Sequence, residues 1–412
     1  MKRAQSHVNF LVLATIAIQA LTLHASFVLM MTIGINEDFL LIRVIAMPIV
    51  FVAFTIALLN SNQKFTHLDT QILLILLSIL LLGLVIALIE NNSLRYIAGD
   101  VIRLMVPWMA YFSIRIVSKD ENYKHATNSI IKACLLIGIV DAFLIIASGT
   151  VFQSIRISSD LFLILLPVAL LNLSSKVRIT DILLLILVAT CVVYTGKRAT
   201  LVGVIILTTM TFYLKGLNTR FIIISLLLIT PIGMVLLVAG DELQIQRFDY
   251  FTVQAKSLTN LAEDQSIWGR FYEYFNIIGS YREKPYSYVT GQGFGAEVEM
   301  TYSTGVYSIN NKMHHAHSAF LVYYWRNGLL GLLLLAIIIK KIYSSVKSTR
   351  YQNLSNQEIT VIALSVYGLA LAVKSNYMLE NIFFGVLLAI LPMKLTPPYV
   401  NSENTDNAKS IR

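Results

Sequence analysis

NKMHHAHSAFLVYYWRNGLLGLLLLAIIIKK, Asn311 to Lys341, sets three of the chain's seven histidines, His314, His315 and His317, against a run apolar enough to cross a bilayer. About 20 such residues span the roughly 30 Å of hydrocarbon in a membrane. Runs like it recur along nearly the whole chain. With 412 residues, 56% of them hydrophobic and 13% charged, and a mean hydropathy of +0.70, the sequence lies outside the range of soluble globular domains. It reads as an all-α polytopic membrane protein.

Apolar windows give about 12 transmembrane helices. They cover 9–31, 39–59, 71–89, 95–114, 127–148, 160–174, 179–194, 199–214, 220–240, 317–339, 359–375 and 381–394. Charge supplies an independent check. With a cytoplasmic N-terminus, the cytoplasmic loops carry Lys64; Arg115, Lys119 and Lys124; Lys176 and Arg178; Lys215 and Arg220; Lys340, Lys341, Lys347 and Arg350; and Lys394. The opposite side takes Glu37, Asp38, Asn91 and Glu380. That alternation obeys the positive-inside rule, places both termini in the cytoplasm, and accounts for the formal charge of +9 without nucleic acid. Cys134 and Cys191 both fall in apolar runs, so no disulfide framework or CxxC metal motif is present in the sequence. The first run, from Asn9 to about Met31, is too long for a signal-peptide core and reads as a retained span.

One connection breaks the pattern of short loops. Residues 241–316 form one large polar, aromatic-rich extracytoplasmic loop between spans 9 and 10 of a single integral membrane domain, 1–412, and 395–412 read as a cytoplasmic tail. Function is expected in that loop and beside it. Lys197 and Arg198 in YTGKRATLVG are bases on the face where short turns disfavour them, and an anionic ligand would explain them as well as snorkelling at a helix end does. Arg suits a phosphate or diphosphate because its fork donates two parallel hydrogen bonds and keeps its charge. Arg247, Arg270, Arg282, Lys284 and Lys312 add bases to the loop; for Arg247, Arg282 and Lys284 a solvated surface is the favoured reading. The aromatics of Trp268–Gly295 suit sugar rings or an interfacial belt equally. GQGFG, Gly291–Gly295, lacks the context of a nucleotide loop, and its glycines serve tight turning.

The histidines admit three readings. His314 and His317, at i and i+3, could share a helical face around a metal; they could be interfacial; or one imidazole could act as a general base. His317 is best placed for the last, since it opens the span. Charges inside spans, among them Arg43, Arg95, Asp100, Arg103, Lys132, Asp141, Arg326 and Lys374, allow either a transport path or a buried support network, with Asp100 and Arg103 spaced to pair on one face.

HSAFLVYYWRNGLLG resembles the His-[Asn/Ser/Gln], nine residues, Gly-x-x-Gly pattern of the bacterial O-antigen ligase and O-antigen polymerase superfamily, with His317 and Ser318 opening it and Gly328 and Gly331 closing it. Upstream, Gly269, Arg270, Pro285, Gly291, Gly293 and Gly295 are similar to that superfamily's loop pattern of Gly-Arg, a helix, a Pro and a Gly-x-Gly-x-Gly turn. Arg198 stands in the Arg position of a Ser-Arg motif, with Lys197 where Ser is usual, and Glu380 matches a late Glu before the last span. The resemblance implies a GT-C-like fold and a metal-independent, nucleotide-independent inverting glycosyltransferase without a cofactor, in the bacterial cytoplasmic (inner) membrane. Its donor would be an oligosaccharide on undecaprenyl diphosphate, its acceptor a glycan or the lipid A core, and a chain-length regulator protein a further partner. By the same resemblance His317 would be the base, Arg198 and Arg270, with Lys197 and Arg282, would hold the diphosphate, and the glycines and Glu380 would support the site. A lipid-linked-glycan flippase or secondary transporter is the alternative of another class, although the chain shows no two-half symmetry. A sensor or scaffold would leave the His and Arg placement unexplained.

Overall fold

The computed structural model describes residues 2–33, 40–60, 65–118, 123–151, 160–195, 198–216, 265–300, 312–314, 316–348, 354–373 and 381–391. The expected span 220–240, Lys197, His315, Glu380 and the tail 395–412 lie outside the described residues. Helices occupy the positions of the other expected spans: α1 (Lys2–Ile33), α2 (Leu40–Leu59), α3 (His67–Ile89), α4 (Leu94–Val117), α5 (Tyr123–Val151), α6 (Leu165–Ser175), α7 (Ile179–Thr195) and α8 (Arg198–Lys215). After the loop helices α9 (Gln265–Ser280) and α10 (Ser287–Thr290) come α11 (Ala319–Ser348), α12 (Asn356–Ala372) and α13 (Ile382–Ala389). Among the described residues four helices, within α3, α4, α5 and α11, are long and apolar enough to cross a membrane, and five shorter apolar helices accompany them. The protein is therefore a helical membrane protein.

α3 shows how the sequence builds such an element. Thr66 and Asp69 close a reciprocal capping box at its start. Beyond Asp69 no charge interrupts it until Glu90, and it is apolar on every face. Ile72, Leu76, Ile79, Gly83 and Ile86 are buried, whereas Leu74, Leu81 and Leu88, seven residues apart, are exposed on the other face. An apolar face left exposed is what lipid contact requires. Asn91 then reverses the chain at φ 55°, a left-handed position that its short polar side chain tolerates, and α4 begins three residues later.

Packing joins two groups. α1, α2, α4 and α13 form one, and α5 to α8 with α12 the other; α1 against α5 and α12 against α13 link them, while α11 packs on α12 and α3 lies along α11. The expected span at 160–174 starts as a 3₁₀ turn, Leu161–Ile164, before α6, and the Asp141 carboxylate accepts the Phe162 N–H at 3.0 Å there.

Two of the bases assigned to loops are instead buried inside helices. Arg115 lies in the last turn of α4 and Lys341 within α11, which runs seven residues further. Both serve one polar cluster. Asp69 accepts from the Tyr111 hydroxyl at 2.6 Å and faces Arg115 Nε at 3.5 Å, while Lys341 Nζ donates to Tyr111 Oη at 2.6 Å. A support network pinning α3, α4 and α11 at one end of the bundle is thus one use of the intramembrane charges.

Candidate active site

At the other end of α3, α4 and α11, the described part of the long loop, 265–300 with 312–314 and 316, folds onto the bundle. α9 is amphipathic: Glu273, Asn276 and Ile277 are buried, and Phe271, Tyr274 and Phe275 are exposed. Ile277 and Tyr281 join Ala296, Val298, Met313, Ala316 and Trp325 in a small core of their own beneath the loop. A two-residue antiparallel ladder, β1 (Val298–Glu299) with β2 (Lys312–Met313), closes that unit, a minor addition to the all-α expectation.

His317 sits at the junction between this unit and α11. Its backbone N–H donates to Glu273 Oε2 at 2.8 Å, and its ring Nδ1 bonds the other carboxylate oxygen, Oε1. An ionised carboxylate only accepts, so the ring proton on that side belongs to Nδ1. The side chain of Glu273 is 6% exposed and that of His317 is 48% exposed. Buried acid and open imidazole form a dyad whose second nitrogen, Nε2, is not engaged by Glu273. Arg270, half-buried, lies three residues before Glu273 on α9, and positions three apart lie close on one helical face.

The GQGFG turn sets the height of this unit above the helices. Gly291, Gly293 and Gly295 all have positive φ. A Cβ at Gly293, where φ is +75°, would stand 2.7 Å from Ala87 N and 2.9 Å from Gly83 O, so the turn lies directly on the backbone of α3. Phe294 fills the notch left by Gly83. Asn92 donates to the carbonyls of Gln292 and Phe294, at 3.2 and 2.8 Å. Above it, Trp325 Nε1 donates to Gln292 Oε1 at 2.8 Å, and Gln292 Nε2 to Ser280 Oγ at 2.8 Å, which ties α11, the turn and α9 together.

α11 breaks at Gly328, where φ 55° and ψ −137° leave the helical region and a Cβ would collide with Val289 O. The break frees the carbonyls of Trp325 and Arg326 for the loop, and they accept the N–H groups of Gln292 at 2.8 Å and Gly293 at 3.1 Å. Gly331 is required by the same bend, since a Cβ there would meet Tyr323 O.

Asp100 holds the node beneath. It accepts the Gly295 N–H at 2.7 Å and pairs with Arg326 Nε at 3.1 Å, and Arg103 stands further off at 3.6 Å. Arg326 in turn donates to the carbonyls of Ala296 and His314. His314 stacks on Tyr96 with ring centroids 3.8 Å apart, and its Nε2 is 3.9 Å from Asp100 Oδ1. Burial, reinforced by the Arg326 cation, pushes the His314 imidazole down to about 4, so it is neutral at physiological pH. A cavity of about 30 Å³ opens between Asp100, Arg103, Phe294, Tyr323, Arg326 and Asn327. At the rim, Glu90 is bound by Lys284 and Tyr286. Burial works against its ionisation, but these two hydrogen bonds outweigh it and hold the carboxyl below its ordinary value.

Among the expected site residues, the structure brings His317, Gly293, Gly295, Gly328 and Gly331 into one assembly, and Arg270 lies on the helix that carries Glu273. Arg282 is exposed beyond the far end of α9 from Arg270. Arg198 is the first residue of α8, and its side chain lies outside the described part. Three expectations change or gain detail. His314 and His317 do not share a helical face, because β2 ends at Met313 and α11 begins only at Ala319. Lys284, with its side chain 44% exposed, is solvated as expected but also pairs with Glu90. Asp100 does meet Arg103, yet Arg326 is its closer partner. Glu273 was missed altogether, and its only sequence signal is a position three residues after the Gly-Arg pair.

No curated protein matches the chain. A family model described as O-antigen ligase matches residues 183–336, from α7 through the loop unit into α11, and the resemblance to the O-antigen ligase and polymerase superfamily is shown over that stretch.

Proposed function

We propose that the protein is a glycosyltransferase of the O-antigen polymerase or ligase type, joining undecaprenyl-diphosphate-linked glycan units at the outer face of the bacterial inner membrane. The observation that carries this reading is the half-exposed His317 at the junction of loop and helix, with Arg270 one turn from the residue that holds it. In the reaction, His317 takes the proton of an acceptor hydroxyl at Nε2 while that oxygen bonds the anomeric carbon of the donor sugar. The bond from that carbon to the diphosphate breaks, and the electron pair leaves with undecaprenyl diphosphate. Attack opposite the leaving group inverts the anomeric centre. Arg270, together with Arg198, Lys197 and Arg282 as further bases, would stabilise the charge that develops on the diphosphate.

Within this type, polymerase is the favoured reading, since the large group of polymerases is the more variable one, and ligase is the second. Both use the same donor chemistry. The flippase or transporter reading needs a charged path through the bundle, whereas Asp69 and Asp100 pair with Arg115 and Arg326 at its two ends. Deletion of the gene followed by gel analysis of surface glycan separates the readings. Lipid A core bearing a single repeat unit indicates a lost polymerase. Bare core with accumulated lipid-linked polymer indicates a lost ligase. Unchanged glycan would sink the assignment.

A further inference from the structure

We propose that Glu273 is the positioning residue of the His317 base, fixing the ring proton on Nδ1 and thereby presenting Nε2 to the acceptor hydroxyl. The inference rests on the transferase reading above and goes beyond it by naming what makes this imidazole a base in one defined orientation.

Two donors of His317, its backbone N–H and its ring Nδ1–H, face the same side chain. A carboxylate offers each of them an acceptor oxygen; a carboxamide offers one oxygen and one NH2, and so must oppose a donor with a donor unless the ring changes tautomer. The pair of contacts leaves the imidazole little freedom to turn about its side-chain bonds. Burial is distributed as an anchor and a working group would have it, with the acid 6% exposed and the ring 48% exposed. The anchor is itself held. Ile277, one turn along α9, is buried in the small core, and Ser280 near the end of the helix is bound through Gln292 to Trp325 of α11. Glu273 and His317 are thus fixed by elements that meet in the same packed unit.

The charge balance also suits the step. When the hydroxyl proton moves to Nε2, the ring becomes a cation beside a carboxylate already in contact with it, as in a carboxylate–histidine pair of a hydrolase triad. Glu273 gains no proton in this scheme and touches neither sugar nor diphosphate. The rival reading is purely architectural: Glu273 accepts the His317 backbone N–H to terminate the bend before α11, and its contact with the ring has no consequence for turnover.

The test uses the full-length chain in lipid nanodiscs, labelled with ¹⁵N-histidine, with the His317→Ala spectrum identifying the ring signals. Turnover is read with undecaprenyl-diphosphate-linked oligosaccharide extracted from a strain lacking the chain. In the wild type the protonated ring nitrogen is expected to be Nδ1. Glu273→Gln should move the proton to Nε2 and lower kcat by about 10²–10⁴-fold, the usual range for loss of general-base catalysis, with KM nearly unchanged. The architectural reading expects Glu273→Gln, which keeps an acceptor for the backbone N–H, to retain kcat whichever ring nitrogen carries the proton. That result, or a wild-type ring protonated on Nε2, would overturn the proposal. The tautomer measurement on the wild type needs no folded variant. A wild type that shows the Nδ1 tautomer but transfers no sugar would sink the transferase reading, and the positioning role with it, while leaving the dyad geometry intact.

Discussion

Asp100→Asn is the perturbation that most directly tests how the loop unit is held to the bundle. The change is isosteric and keeps an acceptor for the Gly295 N–H, now at 2.7 Å, so the penalty of about 1–3 kcal/mol for an orphaned buried donor is avoided. What disappears is the negative charge 3.1 Å from Arg326 Nε, and the Arg326 side chain is only 3% exposed. Stranding one member of a buried pair costs about 3–5 kcal/mol, and a value near the lower end is expected because Arg326 keeps its bonds to the carbonyls of Ala296 and His314. Arg103 is a different case: 3.6 Å from Asp100 and 17% exposed, it is partly solvated, and Arg103→Gln should cost less than about 1 kcal/mol. The assay is equilibrium unfolding of the purified chain in mixed micelles followed by tryptophan emission, with Trp325 as a buried reporter. Adding Arg326→Met removes the stranded charge, so the double variant should be more stable than the sum of the two single losses predicts, by at least about 1 kcal/mol of coupling. Asp100→Asn within about 0.5 kcal/mol of wild type, or strictly additive losses in the double variant, would refute the claim that this pair carries the junction.

Other consequences are open to simpler measurements. Gly293→Ala adds a methyl 2.7 Å from Ala87 N at φ +75°, so a loss of at least about 1–3 kcal/mol is expected, visible as protease cutting in the loop; uncut protein would show that the turn relaxes freely. His317→Ala should abolish glycan product while the chain still inserts and accumulates, and full activity in that variant would remove His317 from the chemistry. Arg270→Lys should impair transfer because a point charge does not reproduce the guanidinium fork, whereas near-normal turnover would mark Arg270 as structural. For His314, moved from 6.5 to about 4 by burial and by Arg326, the unfolded state binds the proton first; stability is full above about pH 6.5 and falls by about 3 kcal/mol as pH drops to 4. His314→Phe should flatten that limb of a pH–stability curve, and an unchanged limb would assign the acid sensitivity elsewhere.

How much of this was legible in the sequence depends on the reach of each signal. Apolar runs announce helices because every position in them carries the same information, and α3 lies where its run of Leu and Ile lies. His317 was legible too, through its spacing to Gly328 and Gly331, since both glycines are demanded by a local bend. The i, i+3 pairing of Asp100 with Arg103 could be read from spacing, but its closer partner Arg326 comes from another helix and leaves no periodic trace. Glu273 and Glu90 were hidden for the same reason: each is a single acid whose partner lies 44 or 194 residues away. Lys341 and Arg115 misled because the positive-inside rule counts bases near span ends without asking whether a buried Asp69 and Tyr111 await them.

The bond between Gly295 and Asp100 joins residues 195 positions apart. At synthesis rates of about 5–20 residues per second, α4 waits roughly 10–40 s in the bilayer before the segment that satisfies its carboxylate has been made. Throughout that interval Asp100 is an acid in an apolar helix with Arg103 as its only neighbour of opposite charge on α4. The GQGFG turn also bonds the Trp325 and Arg326 carbonyls of α11, so it can be fully seated only after that helix has been made, and a ribosome that stalls earlier leaves inserted helices without the loop unit in place.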